Sequence, residues 1–195
     1  MGFKGLTVNT IESDEAHIYA EDDAAFFKCV VGGGNLIFPY GDRFFTEVKG
    51  SNQIRVSSGL LAIQGHIGTI PVNDYEDFVL ENGTIGTVRY DYLVATFETN
   101  GLHGVDTFKL EILSNQSYHY PAYAQGDLDS GADKVQFPLA RIKMNGLAIS
   151  GIDMLNDETV TILDLKDKLN SKVRYGTADP NNNFGDNGDI YVKIN

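Results

Sequence analysis

The chain has 195 residues, 42% of them hydrophobic, and its 27 acidic against 15 basic residues give a formal net charge of −12. Because it contains no run of Lys or Arg, the charge argues against nucleic acid and against an anionic membrane surface as partners. A chain of this length buries enough surface to fold without help, and its one cysteine, Cys29, excludes an intrachain disulfide and a thiolate metal site.

A short helix is predicted early in the chain. Glu21-Asp22-Asp23 places acidic side chains at the positive end of a helix dipole, and Gly32 is suited to the C-cap. Cys29 lies in an apolar run, which predicts a buried and unreactive thiol. The face predicted to pack against the rest of the protein consists of Ala25, Phe26, Cys29 and Val30.

Short segments rich in β-branched and aromatic residues lie between frequent Asn-Gly and Gly-rich turn signals. Strands are predicted within residues 52–67, 87–98, 106–112, 137–144, 147–152, 159–163 and 190–194. Residues 87–98 are apolar on both faces along part of their length, as expected of a central strand, and residues 87–112 are predicted to form a hairpin. Strands at this spacing predict a mainly β fold, an antiparallel β-sandwich or barrel-like domain with one short packed helix.

The C-terminal part is predicted to be a helix and β-hairpin extension. A helix that begins near Asp164 carries Leu165, Leu169 and Val173 four residues apart, a narrow apolar stripe on a helix too short to be stable alone. This stripe is therefore predicted to be an oligomer contact, with packing onto the chain's own sandwich as the alternative. The predicted divisions are an N-terminal arm, residues 1–12, a β-rich domain, residues 13–155, and the helix-plus-hairpin extension, residues 156–195.

The chemistry-bearing residues form no recognisable catalytic or metal motif. The four histidines stand singly, without a second ligand at metal-binding spacing. Gly32-Gly33-Gly34 lacks the Lys-Ser/Thr of a phosphate loop, and the Asp179–Asp189 segment has Phe184 where a calcium loop needs Gly. Arg89 and Asp91, two residues apart on one strand face, are predicted to pair and to stabilise the strand. The sequence therefore predicts no enzyme activity, no cofactor and no metal.

One loop suggests a binding role. In the segment 117–123, aromatic side chains alternate with polar ones, a composition that can stack on a sugar ring or on a protein partner. The residues predicted to make such contacts are Tyr118, His119, Tyr120 and Tyr123. The alternative is that these tyrosines cover the open end of the sandwich.

An ordered series of segments, covering roughly residues 13–155, follows a family pattern. The segments include His17-Ile-Tyr-Ala-Glu-Asp-Asp, Asn52-Gln-Ile-Arg-Val-Ser-Ser-Gly, Tyr75-Glu-Asp-Phe-Val-Leu-Glu-Asn-Gly-Thr-Ile-Gly, Arg89-Tyr-Asp-Tyr-Leu-Val-Ala, Pro121-Ala-Tyr-Ala-Gln-Gly-Asp-Leu and Phe137-Pro-Leu-Ala-Arg-Ile. In this order they resemble the baseplate, tail-fibre or receptor-binding structural proteins of phages and prophages of Gram-positive bacteria. The C-terminal Tyr175-Gly-Thr-Ala-Asp-Pro and Gly185-Asp-Asn-Gly-Asp-Ile-Tyr-Val-Lys are similar to a short terminal motif of many phage tail and fibre proteins.

The resemblance implies a virion structural protein that assembles the host-attachment apparatus, with other tail or baseplate proteins as partners and no catalytic residues. It also favours a trimer, since tail-attachment proteins are often threefold. The first residues lack the apolar core of a secretion signal and no stretch is long and apolar enough for a membrane span, so we expect synthesis in the bacterial cytoplasm. The mature location would be a virion tail or tail-like particle. The alternative function is a carbohydrate-binding module that holds host cell-wall or capsule glycan on the loop 118–123.

Overall fold

The computed structural model describes residues 2, 4–5, 20–100, 104–115, 117–155, 173–177, 179 and 190–194. The chain divides into two compact units, Met1–Glu158 and Thr159–Asn195. Within its described residues the first unit contains two antiparallel sheets and one α-helix, and the predicted β-sandwich is confirmed. The sheets stay separate and do not close into a barrel.

The first sheet has the strand order β1-β5-β4-β2, with β3 also paired to β4. Its strands are β1 (Lys4–Gly5), β2 (Asn35–Ile37), β3 (Thr46–Val48), β4 (Gln53–Ile63) and β5 (His66–Val79). The second sheet has the order β7-β6-β8-β9, formed by β6 (Val88–Glu98), β7 (Thr107–Ser114), β8 (Lys134–Asn145) and β9 (Ala148–Met154). A short 3₁₀ helix, Leu128–Ser130, precedes β8.

Alternating side chains from the two sheets form one core. In β4 the buried positions Ile54 and Val56 alternate with half-buried neighbours, as expected of a strand with one face inward. In β6 the inward side chains Leu93 and Phe97 belong to the same cluster as Ile54. Burial of this apolar surface is what holds the two sheets together.

The central position of β6 and the hairpin predicted for residues 87–112 are confirmed. Strand β6 pairs with β7 on one side and with β8 on the other, in both cases antiparallel. Phe97 lies opposite Phe108 in β7 and opposite Val135 in β8. Since both of its edges are paired and its inner face is covered by the first sheet, β6 is a central strand of the second sheet.

The predicted helix is present as α1 (Ala20–Val31), but its predicted packed face is wrong. Phe26 is 65% exposed, Val30 is 50% exposed, and Ala25 and Cys29 are exposed as well, so the predicted burial of the Cys29 thiol is also wrong. The packed side consists of buried Ala24 and half-buried Phe27, Lys28 and Val31. The helix is apolar on both sides, so periodicity could not select the side that packs. That side is set by the contact of Ala24 with the turn at Gly65, where a Cβ would overlap the Ala24 carbonyl.

The second unit contains β10 (Val173–Gly176) and β11 (Ile190–Lys193), and the predicted hairpin is wrong. The two strands pair in parallel, with Val173 opposite Ile190 and Gly176 opposite Lys193, whereas hairpin strands are antiparallel. Val173 lies in a strand, so it is not on the predicted helix. Apolar alternation does not encode strand direction, which explains the error. Leu165, Leu169 and the strand predicted at 159–163 lie outside the described residues.

Candidate functional site

Five tyrosines meet on the outer face of the second sheet, and we call them the tyrosine cluster: Tyr90, Tyr92, Tyr118, Tyr120 and Tyr123. Two of them come from β6. Because side chains alternate along a strand, Tyr90 and Tyr92 point away from the core side on which Leu93 lies. The other three come from the segment 117–124, which follows β7 and crosses over β6.

Hydrogen bonds to the sheet hold both ends of this segment. At its start, the Tyr90 N–H donates to the Ser117 carbonyl at 3.3 Å. At its end, the Ala124 N–H donates to Gln136 Oε1 at 2.9 Å, and the Gln136 N–H donates to the Ala124 carbonyl at 2.8 Å. Hydrogen bonds at both ends limit the conformations open to the loop, so the sheet fixes the positions of its tyrosines.

The side chain of Gln136 also belongs to a polar network on the same sheet. Its Nε2 donates to Thr96 Oγ1 at 3.2 Å and to Glu111 Oε1 at 3.0 Å, while Thr96 Oγ1 donates to the same carboxylate oxygen at 2.5 Å. Burial acts to raise the pKa of Glu111, but the hydrogen bonds from Lys109, Thr96 and Gln136 outweigh it and lower the pKa. The loop anchor is therefore tied to β6, β7 and β8 together.

Tyr120 is the centre of the tyrosine cluster. Its ring stacks on Tyr92 at a centroid distance of 4.8 Å and an interplanar angle of 30°, and lies 4.7 Å from Tyr90. Tyr118 packs edge-on against Tyr90 at 5.4 Å, and Tyr123 edge-on against Tyr92 at 5.7 Å. Aromatic pairs in such geometries contribute about 0.5–1.5 kcal/mol each beyond the area they bury. Much of the aromatic surface of this loop thus stabilises the loop itself.

Charged groups surround the central ring. The Arg141 guanidinium lies 5.4 Å from the centroid of Tyr120. Burial raises the pKa of Tyr120; the Arg141 charge opposes this change and the Asp153 carboxylate adds to it. Tyr120 therefore remains a neutral hydroxyl, able to donate a hydrogen bond, through the ordinary pH range.

The part of the cluster open to a ligand is smaller than the sequence suggested. Tyr118 is 64% exposed and His119 is exposed, whereas Tyr120 and Tyr123 are half-buried. The rings lie against the outer face of the sheet and not over an open end of the sandwich. Sequence reasoning missed that Tyr90 and Tyr92 join this group, although their place on one strand face was visible.

A cavity of about 410 Å³ adjoins the far end of the cluster. Its lining includes Asn35, Tyr123, Gln125, Gln136, Phe137 and Leu155. Side-chain amides beside aromatic and aliphatic surface can hydrogen-bond hydroxyl groups and cover the carbon face of a ring. The exposed Tyr118 and this cavity lie at opposite ends of the tyrosine cluster.

The predicted Arg89–Asp91 pair is confirmed, on the inner side of the same strand. Arg89 is 4% exposed and Asp91 is fully buried. Arg89 donates from Nε and Nη2 to Asp91 Oδ2 at 3.1 and 2.9 Å, and from Nη2 to the Glu81 carbonyl at 2.7 Å. The guanidinium therefore joins β6 to the chain that arrives from β5, beneath the start of the tyrosine cluster.

Among the described residues, no group of three His, Cys, Asp or Glu side chains could hold a metal ion. His66 instead stacks on Phe97 at a centroid distance of 3.9 Å. Within the same part of the chain, no helix is long and apolar enough to cross a membrane. No family model matches the chain, and no curated protein matches it.

Proposed function

We propose that the chain is a structural component of a phage or prophage tail baseplate or fibre, where it helps to assemble the host-attachment apparatus. The proposal rests on the ordered resemblance of residues 13–155 to proteins of that class. In this role the protein acts by presenting surfaces to neighbouring proteins, and the tyrosine cluster is the best-supported such surface.

One observation carries the proposal: the resembling segments are neighbours in space. Residues 53–57 and 75–79 pair side by side in β4 and β5, with Gln53 opposite Val79 and Ser57 opposite Tyr75. Residues 89–95 and 137–142 pair side by side in β6 and β8, with Leu93 opposite Ala140. The resemblance therefore extends over strands of both sheets and concerns the sandwich as a whole, not a single loop.

Disruption of the gene in a lysogen tests this proposal. Particles released after induction should lack a complete baseplate or fibre in negative-stain electron microscopy, and an intact copy supplied on a plasmid should restore it. Particles of normal morphology and normal infectivity would contradict the proposal.

The partner expected from the same resemblance is a second and third copy of the chain. We propose that Leu165 and Leu169 contribute to that contact. In sedimentation equilibrium of the full chain, the wild type should be a trimer at micromolar concentration, and Leu165→Asp/Leu169→Asp should be a monomer. A trimeric double variant would show that these leucines make no oligomer contact, and a monomeric wild type would rule out self-association.

A carbohydrate-binding module is the second candidate function, favoured by the exposed ring of Tyr118 and by the cavity of about 410 Å³ at the opposite end of the tyrosine cluster. A sugar ring could stack on Tyr118, since tyrosine offers an apolar face with a polar edge. Binding to host cell-wall or capsule glycan on an array should be lost in Tyr118→Ala and kept in Tyr40→Ala, a partly exposed tyrosine outside the cluster. Equal binding by both variants, or none by the wild type, would reject this candidate.

A further inference from the structure

A second cavity, of about 470 Å³, lies beneath helix α1 at one end of the sandwich. This volume is within the range of roughly 300–1,000 Å³ found for small-molecule sites. Its walls come from α1, from the β4–β5 turn, from the 3₁₀ segment and from the ends of β6 and β7. It shares no lining residue with the cavity beside the tyrosine cluster.

Polar contacts between separate segments fix the positions of the walls of this cavity. The Gln64 side chain bridges two of them: its Nε2 donates to the Gly126 carbonyl at 2.7 Å, and its Oε1 accepts from the Leu128 N–H at 2.9 Å. Lys28 on α1 forms an ion pair with Asp129 on the 3₁₀ helix. The cavity is therefore built by polar contacts between separate segments, and does not result from one loose loop.

The buried part of the cavity lining is apolar apart from His66 and Asp106, and exposed carboxylates, those of Asp129 and Asp133, lie at its boundary. Ala24, Ala25, Phe97, Leu128 and Ala132 supply carbon surface. The titratable lining residues are Glu21, Asp106, Asp129 and Asp133 on the acidic side, with Lys28, His66 and Cys29. Four carboxylates against one lysine give the lining a negative formal charge, and that lysine, Lys28, pairs with Asp129.

This combination selects the chemistry of a ligand. Carboxylates repel phosphate and carboxylate ligands and attract cations. None of the described acidic groups converges with two others into a metal site, so an organic cation fits better than a metal ion. The apolar surface would cover an aliphatic stem while the charged end remained at the acidic boundary, as in the side chains of Lys and Arg.

We propose that this cavity binds an aliphatic stem that ends in a guanidinium or ammonium group. The same chemistry could come from a free alkyl cation or from an Arg or Lys side chain of a partner protein. The inference rests on the cavity alone and is independent of the proposed function.

Isothermal titration calorimetry on the full chain tests the proposal with two probes. One probe is n-butylguanidinium, and the other is the peptide acetyl-Gly-Gly-Arg-Gly-Gly-amide, which represents a partner's side chain. Pentanoate, of similar length and opposite charge, is the negative control. Tighter binding of the peptide identifies a protein partner, tighter binding of butylguanidinium a free cation, and either result supports the site.

Two variants locate the binding. Asp133→Asn removes one boundary carboxylate and should weaken the binding of the cation about 2–5-fold, the range for a charge pair in contact with solvent. Ala25→Leu, at an exposed helix position, should narrow the cavity and weaken binding further. The matched control is Asp153→Asn, an exposed aspartate on β9 outside the cavity lining, which should leave binding unchanged.

The single cysteine gives an independent readout of location, because exposed Cys29 also lines this cavity. A bound cation should slow the alkylation of Cys29 by iodoacetamide, and pentanoate should not. Binding of pentanoate as tight as that of the cations would overturn the proposal. So would an equal loss of affinity in Asp133→Asn and Asp153→Asn, since attraction to net charge would then explain the binding, and so would the absence of binding at millimolar concentration.

Discussion

Replacement of Arg89 by Met should be among the most damaging single changes in the first unit. Methionine fills a similar volume but donates no hydrogen bond. Asp91 is fully buried, so its carboxylate would lose the guanidinium that donates to Oδ2 and would stay in the apolar core without a charge partner. The Glu81 carbonyl would lose its donor as well.

The loss should be about 3–5 kcal/mol, the usual result of removing one partner from a buried ion pair. That is a large part of the total stability of a domain, about 5–15 kcal/mol. The double variant Arg89→Met/Asp91→Leu removes both charges and should recover much of the loss, because an apolar pair of similar volume costs no desolvation of charge.

Urea denaturation followed by circular dichroism gives the free energy of unfolding, and urea leaves the ion pairs unscreened. The matched control is Arg55→Met. Arg55 holds Asp77 at 2.7 and 2.8 Å in a similar two-bond geometry, but both side chains are much more exposed than Arg89 and Asp91. The control should therefore lose less stability. Equal losses in the two single variants, or a double variant no more stable than Arg89→Met, would refute the reasoning from burial.

Three further predictions concern the core, the polar network and the tyrosine cluster. Gly59→Ala should lower the free energy of unfolding by about 1–3 kcal/mol, because its Cβ would lie 2.5 Å from the buried Phe44 ring. Gly151→Ala, whose Cβ would have nothing within 4 Å, should lower it much less. Equal effects of the two variants in urea titrations would contradict the contact with Phe44. The pKa of Glu111 is lowered from 4.5 in the folded protein, so the carboxylate contributes stability above that pH, and this contribution is lost as the pH falls through the folded pKa. The difference in free energy of unfolding between wild type and Glu111→Gln should therefore shrink below pH 4.5. A difference that stays constant with pH would be inconsistent with the polar network. Tyr120→Phe should remove a tyrosine that ionises above pH 10.0 from the alkaline spectrophotometric titration, because burial raises its pKa, and an unchanged upper part of the curve would count against the stacked geometry.

Features that depend on local pattern could be predicted from the sequence. Apolar residues on both faces of the segment 87–98 identified β6 as a central strand, and the spacing of Arg89 and Asp91 identified their pairing. Both follow from the two-residue period of a strand, which needs no knowledge of the rest of the chain.

Features that depend on which surfaces meet could not be predicted. Helix α1 is apolar on both sides, and the Ala24 contact at the Gly65 turn leaves Phe26 and Cys29 exposed. The parallel pairing of β10 with β11 likewise depends on the path of the chain between the two strands, and apolar alternation does not indicate strand direction.

The candidate site also has features that the local sequence pattern predicts and features that depend on tertiary contacts. Aromatic residues in the segment 117–123 marked it as unusual, and the structure brings its three tyrosines to Tyr90 and Tyr92. The hydrogen bond from the Ala124 N–H to the Gln136 side chain could not be predicted from the sequence, because the two residues are twelve apart. Alternation alone would assign Gln136 to an ordinary strand position.

Density-gradient centrifugation of particles from an induced lysogen, followed by quantitative mass spectrometry of each fraction, tests the central proposal most directly. We predict that the chain sediments with the tail proteins at a constant ratio to them across the particle peak. A chain that stays at the top of the gradient with unassembled proteins, while complete tails sediment without it, would contradict a structural role in the tail.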